Sequence, residues 1–233
     1  MKARNSFDNF ISFIFDIFNW NDAERTFERL QVIFTILLQL VFLLSFLLAL
    51  FWKNWTTAFI SLVAMVSIWL PIIFIKKRKI HIPVSFTFFL TLFIYASLFL
   101  GEIRDFYFKF WWWDSLLHFT SGMALGFVGF LIIYSLYQNG PLESNAGIIA
   151  LFSFCFALSL GALWEIFEFA MDSFFGLNMQ KDGLVDTMWD LIMDAWGALI
   201  VSLAGYFYIK YGGKGTGVFR YYLTSYLKKN LNN

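Results

Sequence analysis

Glu165, Glu168 and Asp172 recur at i, i+3 and i+7 inside an otherwise apolar run. Asp186, Asp190 and Asp194 recur at i, i+4 and i+8, and Asp114 and His118 stand one helical turn apart. On helices, each of these sets lies on one face. An imidazole among carboxylates is a donor set suited to Zn, Mn or Fe, and an all-oxygen subset suits Mg or Ca. The expected division of labour gives the metal to Asp114, His118, Asp186 and Asp190. Glu165 or Glu168 is then the general base, with Glu102, Asp172 and Asp194 as additional acids. Two like charges 4 Å apart cost about 4 kcal/mol at an effective dielectric near 20. Such carboxylates must therefore share protons, pair with Arg104, Lys109 or Lys181, or hold a cation. No HExxH, ExxH or cysteine pair is present, so a divalent metal is read from clustering alone. The structural alternatives are plain. Asp114 and Asp186 could be helix N-caps, and His118 a hydrogen-bonded bundle histidine. Asp105 and Asp182 read as solvated loop charges.

The elements that must position these residues are membrane spans. Hydrophobic residues make up 60% of the 233-residue chain and charged residues only 14%, against roughly 25% charged in a soluble domain. The apolar residues form long uncharged runs near 30–52, 56–75, 84–103, 115–137, 147–171 and 187–209, each long enough to cross a bilayer. The expected fold is all-α: a polytopic membrane bundle of about six helices, preceded by an amphipathic helix at 7–20. The last lies in the membrane interface or packs on the bundle. The chain divides into an N-terminal segment 1–29, a transmembrane domain 30–210 and a tail 211–233. The first long apolar stretch begins near Leu30, too late and too long for a cleavable signal. Cys155, the one cysteine, allows no intrachain disulfide and is expected to pack in the bundle. A net charge of +1 gives no reason to expect a nucleic-acid partner.

With six spans both termini lie on one side. That side carries thirteen of the 17 Lys and Arg residues, including Lys76, Lys77, Arg78 and Lys79, so it is expected to be cytoplasmic. Loop parity then brings Glu102, Asp114, His118, Glu165, Glu168, Asp172 and Asp186 to Asp194 to the outer leaflet. The same faces continue inward as small residues: Gly122, Gly126 and Gly129; Ala157 and Gly161; Gly197 and Gly205. Small residues let membrane helices approach closely, so three polar stripes are expected to converge on one outward pocket. The connection 172–186 is expected to be ordered, because Phe174, Phe175, Leu177 and Met179 are too apolar for a free loop. Trp111, Trp112 and Trp113 read as an interfacial belt or as a stacking surface for a headgroup.

The strings WDSLLHFTSG (113–122), WEIFEFAMD (164–172) and DTMWDLIMDAWGAL (186–199) resemble the YjdF-like bacterial inner-membrane proteins and, more distantly, the VanZ-like proteins. The shared pattern is D-x3-H, E-x2-E and D-T-x2-D. It falls on Asp114 and His118, on Glu165 and Glu168, and on Asp186, Thr187 and Asp190. Asp194 departs from the Asn that VanZ-like proteins often carry there. The resemblance implies a multi-pass protein of the bacterial inner membrane, covering about 30–210, and implies no particular reaction.

Three classes of function fit these residues. One is a metal-dependent enzyme acting on a lipid headgroup or lipid-linked envelope precursor, with membrane lipid as its surroundings. It lacks the basic clamp that phosphoryl transfer usually wants. Another is a cation- or proton-coupled transporter, although the inner halves of the last three spans offer only serines and tyrosines as polar steps. The third is an envelope or resistance protein with a structural metal. The sequence does not give the oligomeric state.

Overall fold

The computed structural model describes residues 26–77, 84–138, 145–181 and 183–211. The amphipathic segment 7–20, the basic residues Arg78 and Lys79, the 139–144 turn, Asp182 and the tail beyond 211 lie outside the described residues. All regular structure among the described residues is helical. Five helices are long and apolar enough to cross a membrane: Glu28–Phe51, Val84–Ile103, Trp113–Tyr137, Ala146–Phe175 and Leu184–Lys210. The expected second span falls on the helix Trp55–Lys77, whose described apolar stretch is Trp55–Leu70.

The chain divides into two compact units, one up to Lys109 and one from Phe110. In the first, α1 (Thr26–Phe51) and α2 (Trp55–Lys77) form a hairpin. Asn54 makes the turn, its side chain capping the Thr57 amide at 3.1 Å. The third helix, α3 (Val84–Ile94), continues as a π-helical segment Tyr95–Ile103, followed by the short α4 (Phe106–Lys109). Gly101 lies against Tyr107, whose ring leaves no room for a Cβ. The pattern of α1 is inverted relative to a soluble helix. Gln31, Thr35 and Gln39 are buried, while Phe34, Leu37, Leu40 and Leu44 are exposed. The buried amide oxygens find partners on neighbouring helices. Gln31 accepts from Ser85 at 3.1 Å and Gln39 from Trp69 at 3.0 Å. Polar contacts inside with leucine outside suit helices surrounded by lipid, where side-chain hydrogen bonds and close packing hold the bundle.

The second unit is built from α5 (Trp113–Gln138), α6 (Ala146–Phe175) and α7 (Leu184–Lys210), each packed on the other two. Asn145 starts α6 by accepting the Ile148 amide proton at 3.0 Å. Gly176 ends it in the left-handed conformation at φ 65°. Glycines set how closely α5 and α7 approach. A Cβ on Gly122 would run into the backbone of Asp194, and one on Gly197 into the Phe119 carbonyl. Further along, a Cβ on Gly126 would sit 3.4 Å from Ala198 Cα. Below it Ser153 donates to the Gly126 carbonyl at 2.6 Å. Phe130, Tyr134, Ile149 and Tyr208 fill the far end. Cys155 is exposed rather than packed within the unit, because it falls on the outer face of α6.

A methyl group at Gly197 meets backbone atoms of α5, which cannot rotate away. Gly197→Ala is expected to separate α5 from α7 and destabilise the protein by about 1–3 kcal/mol. Thermal unfolding in detergent checks this, and an unchanged midpoint would refute the close approach.

Candidate metal centre

The second unit converges on a single imidazole. His118 leaves α5 one turn after Asp114, and its ring lies between α6 and α7. Its Nε2 stands 3.7 Å from Glu165 Oε1, 3.9 Å from Asp114 Oδ1 and 3.9 Å from Asp190 Oδ2. Its other nitrogen, Nδ1, lies 3.2 Å from Asp194 Oδ2. Relative exposures are 8% for His118, 4% for Glu165, 2% for Asp190 and 1% for Asp194. Four carboxylates thus share one ring, three of them nearly inaccessible and Asp114 20% exposed at its side chain.

The two sides of the ring differ in kind. On the Nδ1 side, Asp194 is held as well as holding. The Ser121 hydroxyl lies 3.0 Å from Asp194 Oδ1 and 2.8 Å from the His118 carbonyl oxygen, and can donate to either. Gly161 on α6 makes room for the Asp194 carboxylate, since a Cβ there would collide with it. An imidazole whose Nδ1–H donates to a carboxylate presents the Nε2 lone pair to whatever lies opposite, the arrangement that orients metal-bound histidines.

On the Nε2 side, Asp114, His118 and Asp190 offer one ligand atom each, all within 4.8 Å of one another. A cation about 2.0–2.2 Å from each donor sets tetrahedral donors roughly 3.3–3.6 Å apart. The two His118 Nε2 spacings, 3.9 Å each, are wider by about 0.3–0.6 Å than that tetrahedral spacing. Glu165 adds an independent mark. Neither of its carboxylate oxygens makes a hydrogen bond, although both are buried. A carboxylate taken from water without donors is costly, and a cation in front of Nε2 would remove that cost.

The other expected residues lie outside the group of three ligands. Asp186 sits in the first turn of α7, outside the group of three ligands. Glu168 is half-buried and accepts from Trp164 Nε1 on its own helix at 2.9 Å. Glu102 belongs to the first unit, exposed in the π-helical segment. Asp172 closes the α6–α7 connection. Its two oxygens accept the amide protons of Met179 at 2.7 Å and Gln180 at 2.8 Å. Gln180 then donates to Thr187 at 2.8 Å. These polar bonds tie the described residues 176–181 to α6 and α7, while Phe174, Phe175 and Leu177 are exposed. Ser121 was not read from the sequence, although it carried a usable signal, lying seven residues beyond Asp114 on the same face. Lys181, expected as one of three basic partners for the carboxylates, donates from Nζ to Asp114 Oδ2 at 2.5 Å.

Asp194→Asn keeps the volume and removes the charge facing Nδ1. It is expected to weaken divalent-cation binding about 10–100-fold, the usual effect of losing such a partner, with folding retained. Titration calorimetry with Mn²⁺ or Zn²⁺ checks it, and an unaltered affinity would remove Asp194 from this role.

Comparison with known proteins is consistent with a membrane setting. An uncharacterized protein of Thermotoga maritima is 32% identical over 138 residues, which cover 57% of this chain and 67% of the relative. No solved structure matches. A family described as predicted membrane protein (DUF2238) matches residues 33–211, spanning most of both units. With its apolar helices, inverted burial pattern and this match, the chain is a member of the DUF2238 family of membrane proteins.

Proposed function

We propose that the protein is a divalent-cation-dependent enzyme of the bacterial inner membrane, acting on a lipid headgroup or lipid-linked envelope precursor. The observation that carries this is the buried imidazole with Asp114 and Asp190 on its Nε2 side and the buried Glu165 carboxylate 3.7 Å from the same nitrogen. Three protein ligands with a position left open is the donor arrangement of catalytic rather than structural sites. A cation bound there supplies a polarised oxygen or an acidified water at neutral pH.

The chain's own residues have distinct parts. Asp114, His118 and Asp190 hold the cation. Asp194 and Ser121 fix the ring. Glu165, 3.7 Å from Nε2, is placed to take a proton from a water or hydroxyl in the open position. Asp186 and Glu168 lie further out on α7 and α6, where a substrate would enter. Sequence motifs shared with VanZ-like proteins support a role in the envelope. The excess of Lys and Arg toward the termini supports cytoplasmic termini and a site facing outward.

A second reading, cation transport, is favoured by one observation. Ser202 and Ser153 are joined at 3.2 Å and continue the buried polar line along α6 and α7 beyond Asp194. It ranks below catalysis because no acid or base follows on that line until Lys210.

Detergent-purified protein is expected to hold about one equivalent of a divalent transition metal. His118→Ala should lose it, and Glu165→Gln should keep it while losing turnover. Metal analysis by mass spectrometry checks the first two outcomes. Loss of metal in Glu165→Gln would make Glu165 a ligand and not a base. No metal in the native protein under any loading condition would end the proposal. For orientation, Arg78→Cys in a Cys155→Ala background should resist an impermeant thiol reagent in intact cells. Labelling would reverse the topology.

A further inference from the structure

We propose that Lys181 is a tethered countercation on the metal centre, a built-in competitor that lowers the centre's affinity for divalent cations. This rests on the reading of Asp114, His118 and Asp190 as cation ligands. The α6–α7 connection carries the Lys181 ammonium onto Asp114 Oδ2, while Asp114 Oδ1 faces His118 Nε2. One carboxylate thus serves both the centre and the lysine. Among the described residues of the second unit, Lys181 and Lys210 are the only lysines or arginines. Lys210 closes α7 at its opposite end. Lys181 is therefore the one basic side chain, among the described residues of this unit, available to balance the acids at this end. Glu165, buried with both oxygens lacking hydrogen bonds, marks the position that balance leaves unfilled.

The connection does not depend on Lys181 for its shape. Asp172 holds the amides of Met179 and Gln180, and Gln180 is tied to Thr187. The backbone that presents Lys181 is thus fastened to α6 and α7, and the lysine side chain reaches across to α5. Lys181 and Asp114 are each 20% exposed at the side chain, so the ammonium can leave toward water when a metal arrives. A double and a single positive charge sharing one carboxylate repel, and in a poorly solvated site that repulsion is large. The lysine therefore balances the acids without a metal and opposes the metal once it binds.

The test is titration of full-length, detergent-purified protein with Mn²⁺ and with Zn²⁺. Lys181→Met is expected to tighten binding by about tenfold or more, equivalent to about 1.4 kcal/mol. Lys181→Arg, which keeps the charge, should stay within about threefold of the native affinity. Lys181→Gln provides a second neutral variant should the Met variant not be monodisperse, and the same tightening is expected. If the native protein binds metal and the neutral variants bind equally or more weakly, the competitor role is overturned and the centre stands. If neither native nor neutral variants bind, the centre itself is refuted and the proposal with it.

Discussion

The second unit is organised by the cost of burying several carboxylates around one imidazole in a membrane-spanning bundle. An ionisable group at the centre of a bilayer costs about 2.5–3.5 kcal/mol on insertion scales. Here Glu165, Asp190 and Asp194 are all nearly inaccessible. Nothing about helix packing alone requires them. Lipid-facing leucines and close-packed glycines would hold α5, α6 and α7 together without any acid. Their presence makes sense when positive charge gathers them, from Lys181 and from a cation held by the neutral His118 ring and the acids around it.

That gathering depends on how closely the helices approach. Gly122 and Gly197 bring the backbones of α5 and α7 into contact at the level of Asp194 and Phe119, and Gly161 opens the space its carboxylate fills. The same contacts fix the vertical register of His118 against α7. Side chains four residues apart on a helix differ in height by about 6 Å. A slip of one turn between α5 and α7 would offer His118 a different pair of aspartates. The glycine contacts and the donor set are in this sense one feature.

This also explains what the sequence made legible and what it did not. The apolar runs located the spans, and the phase of Asp114, His118, Glu165 and Asp190 put them on facing stripes, because periodicity survives in one dimension. Register between helices does not. Asp186, Asp190 and Asp194 share a face, yet only contacts such as Gly122 against Asp194 decide which two stand level with the ring. Asp190 then faces Nε2 and Asp194 faces Nδ1, while Asp186 stays in the first turn. Glu168, one turn beyond Glu165 on α6, borders the group and accepts from Trp164 on its own helix. Lys181 was legible as one of three basic partners for the acids, but its meeting with Asp114 depends on Asp172 folding the connection back, a local geometry that composition does not encode.

X-ray absorption of the protein loaded with one equivalent of Zn²⁺ or Mn²⁺ addresses the centre most directly. The expected spectrum contains the scattering of one imidazole, with oxygen donors from carboxylates at about 2.0–2.2 Å. An oxygen-only shell of a solvated ion, without imidazole, would contradict the claim that His118 Nε2 and the carboxylates around it form a metal centre.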